Sequence, residues 1–197
     1  TFRTAALLRG QRAKGWETFH LTSPKQGESA AAEETIDGLN FFRTPLVTSG
    51  GAQLPVLGEL ALMRALEQRL EEVVDRVRPD IIHVHNEFSI GLSGMAIAKI
   101  LKVPLVYTLH TMYDDYIYYI APKPLIPLTK KLSHRYFRMF PQNAAVVTGP
   151  SKKCQEYTYE IGSDKKVEVI PNPVELDAFA PQTSTPQQRA QIREQYH

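Results

Sequence analysis

At 197 residues, with 43% hydrophobic and 22% charged residues, the chain is long enough to build one sizeable core and too apolar for general disorder. A formal net charge of +2 is too small to imply nucleic acid, and the single cysteine, Cys154, excludes an intrachain disulfide and suits a reducing cytoplasm. No apolar run approaches the roughly 20 residues that cross a bilayer, so membrane contact is expected only at a surface.

Residues 1–14 read as an amphipathic helix already under way. Gly15 interrupts it, and residues 17–23 read as a strand closed by Pro24. A polar loop over 27–34, a strand over 39–43 and a Gly/Ser turn at 49–51 follow. The strongest helical pattern comes next. Leu60, Met63, Leu66, Leu70, Val73, Val74 and Val77 recur at three- and four-residue steps until Pro79 stops them.

From there strands and helices alternate. Strands are predicted over 80–85, 103–110, 144–148 and 167–170. Helices are predicted over 90–102 and 151–161, and a long basic, aromatic helical region runs to Phe140. Short apolar strands separated by helices specify a parallel sheet with helices on both faces, an α/β fold of Rossmann-like type. The last helical stretch, 187–197, leads nowhere, and the chain opens inside a helix, so it reads as a fragment.

In such a sheet, ligands bind beyond the carboxyl ends of the strands. That rule selects residues 83–88, 110–119, 148–151 and 170–177. His110 ends a strand, and an imidazole there can hydrogen-bond a sugar hydroxyl or stabilise developing charge. His83 and His85 share the spacing of a metal pair, but no further ligand set accompanies them. The reading is therefore of hydrogen-bonded strand histidines and no metal. Neither a Gly-rich dinucleotide loop nor a phosphate-binding P-loop is present.

Residues 121–140 carry Lys123, Lys130, Lys131, Arg135 and Arg138 with no acidic residue. Leucines and aromatics lie among them, and Tyr113, Tyr116, Tyr118 and Tyr119 cluster just upstream. Basic residues with interfacial aromatics suit an anionic membrane surface. The alternative is an ordinary helix with a solvated cationic face.

Three segments, RPDIIHVHNEFSIGLSGMAIAKILKVPLVYTLHTMYDDYIYYI, VVTGPSKKCQEYTYEIG and VEVIPNPVELDAF, resemble the N-terminal domain of family-four retaining glycosyltransferases. Within these, HNEFSIGL and HTMYDDYIYY look most like bacterial diacylglycerol glucosyltransferases. The first 80 residues are similar to glycosyltransferases of exopolysaccharide clusters. They hold eight Arg and two Lys, against four Arg and nine Lys in 81–197, a shift that suggests two joined histories.

The resemblance implies the acceptor-binding half of a GT-B enzyme over residues 1–180, with 181–197 leading toward a donor-binding domain. It also implies a first strand and a C-terminal domain beyond this chain. The implied donor is a nucleotide-diphospho-sugar, the acceptor a lipid or glycan, and no cofactor is needed. Carried over by position, His110 contacts the transferred sugar. Glu87 and Phe88 line the acceptor side, Asp114 and Tyr113 edge the lipid entrance, and Asn172 precedes the interdomain hinge. The expected location is cytoplasmic, with peripheral attachment to the inner face of the cell membrane. A non-catalytic Rossmann-like module and a sugar-nucleotide epimerase are the alternatives.

Overall fold

The structure is a computed structural model that describes residues 2–22, 31–43, 69–173 and 184–196. Among these residues, four parallel strands in the order β4-β5-β6-β7 form the larger sheet: β4 (Ile82–Val84), β5 (Leu105–Thr108), β6 (Val146–Gly149) and β7 (Val167–Val169). They coincide with the four strands predicted in this half of the chain. Because the order advances without reversal, right-handed crossovers put the connecting helices on one face. These are α3 (Ser89–Leu101), the broken segment up to α6 (Met139–Asn143), and α7 (Lys152–Glu160).

That face holds the core. Register aligns Val84, Tyr107, Val147 and Val167 across the sheet, and Phe140 and Cys154 pack over them. A Cβ on Gly94 would stand 2.7 Å from Val84 Cγ1, so the small residues of α3 are what let it lie close to the strands. The opposite face is polar at its centre, where His83, Thr108 and Thr148 join in a row of hydrogen bonds.

The smaller sheet has the order β1-β3-β2. In it β1 (Phe19–Thr22) runs parallel to β3 (Leu39–Arg43), and β2 (Glu33–Ile36) runs antiparallel to β3. The sequence reading had residues up to 34 as loop; β2 is the difference. Its cause is the two-residue turn Asp37–Gly38, both at positive φ (51° and 74°), the mirror-image geometry that matches the twist of a hairpin. Helix α1 (Phe2–Ala13) packs against β3.

The helix predicted over 60–77 is described from residue 69 to 77, as α2, while Leu60, Met63 and Leu66 lie outside the described residues. Arg69 and Arg76 of α2 both bridge Glu33 of β2. The turn at 49–51 and the boundary at 180 also lie outside the described residues.

The region read as one long helical stretch to Phe140 is divided. A single 3-10 turn (Tyr113–Tyr116) leads into α4 (Ile117–Ile120), a second turn (Lys123–Leu125) into α5 (Ile126–Phe137), and α6 follows. Pro122 is the physical reason. It forces Ala121 out of helical geometry (ψ 134°) and itself sits extended at ψ 143°. The last helix, α8 (Pro186–Tyr196), is exposed along its length.

Candidate functional site

The carboxyl ends of β4 and β5 lie side by side, and three histidines collect there. His83 Nε2 is 2.6 Å from Thr108 Oγ1, which in turn meets Thr148 Oγ1 at 2.7 Å. The rings of His83 and His85 are 4.0 Å apart, and His85 stacks on His110 at 5.4 Å. His85 Nδ1 and His110 Nε2 are 3.1 Å apart. Among the described residues no group of three His, Cys, Asp or Glu is arranged to hold a metal ion.

All three imidazoles are held neutral at neutral pH. Burial, with the nearby His110, brings His83 down to about 4. Burial again, with His83, His110 and His20 around it, brings His85 down to about 3. His110 is lowered by burial and by the charge of Arg3 on α1. Neutrality has a consequence for the 3.1 Å contact, since two neutral rings share one proton across it. When His85 donates, His110 carries its own hydrogen on Nδ1. That atom is buried and finds no partner among the described residues. His110 is then a hydrogen-bond donor aimed away from His85, the kind of group that stabilises an anionic oxygen without itself being charged.

Glu87 was expected at the acceptor side. Its side chain is enclosed, with the residue only 2% exposed, and faces the interior. Tyr107 and Tyr113 each donate to the carboxylate at 2.6 Å, and Tyr136 donates to its backbone carbonyl. Burial pushes the carboxyl up, against the pull of the two tyrosyl hydrogen bonds. Phe88, next in sequence, is 44% exposed and lies edge-on to Tyr113. Tyr113 itself stacks flat on Phe137 of α5 at 4.2 Å.

Asp114 accepts from Lys130 at 2.7 Å and from His134 at 2.8 Å, both on α5. Burial pushes its carboxyl up, but the hydrogen bonds from Lys130 and His134 outweigh it and hold it below the usual range. The loop after His110 is thus tied to the basic helix by Tyr113 and Asp114 together. Asn172 stands apart, exposed beyond β7 and two strands from β5.

Of the basic residues, Lys123, Lys131 and Arg135 are exposed, Lys130 turns to Asp114, and Arg138 is half-buried near Gly162. Leu128 (56% exposed) and Leu132 (59%) lie one helical turn apart on the face that Lys131 and Arg135 share. These side chains, with Arg138 and Ile161 after α7, border an open groove of about 840 Å³. No helix among the described residues is long and apolar enough to cross a membrane.

Tyr107, His134 and Tyr136 carry no functional signal in the sequence. His85 stands out in the sequence only with His83, as a spaced pair read as hydrogen-bonded strand histidines, and both do make such bonds.

The sequence matches the family model described as Glycosyltransferase Family 4 over residues 3–178, both halves of the chain together. The chain belongs to glycosyltransferase family 4. Two relatives in the family are named alpha-monoglucosyldiacylglycerol synthase. The one from Acholeplasma laidlawii is 32% identical over 120 residues, 57% of this chain and 29% of the relative. That from Streptococcus pneumoniae is 38% identical over 110 residues, 55% of this chain and 24% of the relative. A sulfoquinovosyl transferase of Arabidopsis thaliana is 30% identical over 95 residues, 47% of this chain and 19% of the plant protein.

These family-four matches thus span less than a third of each relative. In fold, the chain is similar to a sucrose-phosphate synthase chain from Thermosynechococcus elongatus, with a TM-score of 0.62 at 14% identity. That match covers 98% of this chain and 93% of the other. The expected Rossmann-like GT-B architecture is the one found, a parallel sheet flanked by helices.

Proposed function

We propose that this chain forms the acceptor-facing part of a retaining glycosyltransferase that moves a hexose from a nucleotide-diphospho-sugar to a lipid held at an anionic membrane surface. The observation that carries the reading is a juxtaposition. One short loop, 110–116, begins at a neutral strand-end histidine and is fastened through Tyr113 and Asp114 to a helix whose exposed face is basic and leucine-rich. Sugar chemistry and a lipid surface would meet across that loop. The names of the two diacylglycerol-glucosylating relatives support a glycolipid product.

In the transfer, the acceptor oxygen forms a bond to the anomeric carbon on the face that the leaving phosphate vacates. The carbon–phosphate-oxygen bond breaks, and the acceptor proton passes to the departing phosphate oxygen. No protein base is required, so the protein contributes position and charge stabilisation. A neutral His110 suits that role better than an imidazolium, which would bind the anionic donor strongly in the ground state as well.

The test is His110→Ala in the whole enzyme that carries this chain, assayed with nucleotide-sugar and diacylglycerol in vesicles. Turnover should fall by roughly 100-fold, as for loss of a single charge-stabilising donor. A change under threefold in both kcat and kcat/KM takes His110 out of the site.

A further inference from the structure

The carboxylate of Glu87 meets two hydroxyls from either side of His110. Tyr107, three residues before His110, donates to Oε1 at 2.6 Å; Tyr113, three residues after it, donates to Oε2 at 2.6 Å. Glu87 also follows His85 by two residues, and His85 makes the 3.1 Å contact to the His110 ring. The segment 85–87 is therefore fastened to the segment 107–113 at three points, with His110 between them. We propose that Glu87 is a positioning residue, its carboxylate clamping the chain on both sides of His110 and so setting where that imidazole stands. The proposal rests on the role given to His110 above.

A carboxylate is a costly residue to bury, and packing alone would be served as well by an apolar side chain. What it adds is two acceptors at a fixed separation, each with a preferred direction of approach. Both oxygens are used here, and both partners are phenols whose rings are themselves held. Tyr107 lies against Phe140, and Tyr113 lies flat on Phe137. The Tyr136 bond to the Glu87 carbonyl fixes the clamp's own backbone from α5. Such over-determination matters for a reacting group, since a displacement of about 1 Å can cost about 100-fold in rate.

Two measurements test this, with Glu87→Gln as the nearly isosteric variant and Tyr113→Phe as a second that keeps the carboxylate. Amide hydrogen exchange on the chain should rise at least tenfold over residues 110–116 in both variants, while β6 stays protected. Unchanged exchange in that loop overturns the clamp.

In the whole enzyme, Glu87→Gln should lower kcat about tenfold and move the acceptor KM by less than threefold. The same substitution in a His110→Ala background should then cost less than twofold, because a residue acting through His110 has nothing left to position. A second tenfold loss in that background shows Glu87 acting independently and overturns the proposal. If His110→Ala alone leaves turnover within threefold, the role of His110 fails on its own evidence. The turnover half of this proposal is overturned with it, while the exchange result still decides the clamp.

Discussion

Acidification should destabilise this protein through its buried histidines, above the pH range in which ordinary carboxylates titrate. His83 is held down to about 4 and His85 to about 3, mainly by burial, and His20 on β1 is likewise held at about 4. In the unfolded chain each returns to about 6.5. Between pH 6.5 and about 4 the unfolded state therefore binds protons that the folded state refuses, and stability falls as pH falls. At full linkage each histidine removes about 1.4 kcal/mol per pH unit, so the step from pH 7 to pH 5 costs on the order of 2 kcal/mol per ring. His83 and His85 alone should then remove roughly 3–4 kcal/mol, a large share of the about 5–15 kcal/mol typical of a domain.

Two other groups set the limits of that window. Asp114, held low, gives up its contribution only below about pH 4. Glu87, held high, takes up a proton earlier when folded and so opposes the trend. The assay is equilibrium urea unfolding at pH 7, 6 and 5, for the parent and for His83→Gln. The glutamine amide can still reach Thr108 from the position of Nε2 and cannot charge. The parent should weaken steeply from pH 6 to 5, and the variant should have a slope shallower by about 1 kcal/mol per pH unit. Equal stability at pH 7 and 5, or identical slopes in the two proteins, refutes the reasoning.

Gly91→Ala should be among the most damaging small substitutions. Its Cβ would land inside the Asn86 carbonyl and 2.6 Å from Asn86 Oδ1, the atom that accepts from the Gly91 amide at the start of α3. A loss of roughly 2–3 kcal/mol is expected, measured as a lower unfolding midpoint, and a loss under 0.5 kcal/mol would contradict the packing described. At the membrane, Lys131→Glu with Arg135→Glu should weaken sedimentation with phosphatidylglycerol vesicles by 100-fold or more, since each charge near such a surface is worth about 1 kcal/mol. Lys130 is left alone because it holds Asp114. Parent binding should fade between 0.1 and 1 M salt, as the screening length contracts from ~10 to ~3 Å. Equal sedimentation of parent and variant, or none by either, would make α5 a solvated face.

Much of the architecture was legible because its causes are local. Ile82–Val84, Leu105–Thr108, Val146–Gly149 and Val167–Val169 are short runs with apolar residues between helical stretches, a pattern read within a few residues of each strand. The hairpin turn at Asp37–Gly38 was equally local and was passed over, because the polar residues before it resemble a loop. On β2 they are polar for a different reason, since Glu33 faces Arg69 and Arg76 of α2. Pro122 was visible too, and it divides what reads as one long helical region.

The amino-acid order by itself determined the strand–helix alternation, and with it the strand end on which His110 stands. It also determined that a basic, leucine-bearing helix follows soon after, since helical periodicity assigns Leu128 and Leu132 to the face of Lys131 and Arg135. Only the tertiary structure decided what Glu87 and Asp114 do. Glu87 lies 20 residues from Tyr107 and 26 from Tyr113, and Asp114 lies 20 from His134. No local pattern encodes a bond across such a distance. Strand register and the return of α5 bring those groups within 3 Å, and the carboxylate expected to line the acceptor side is enclosed by tyrosines.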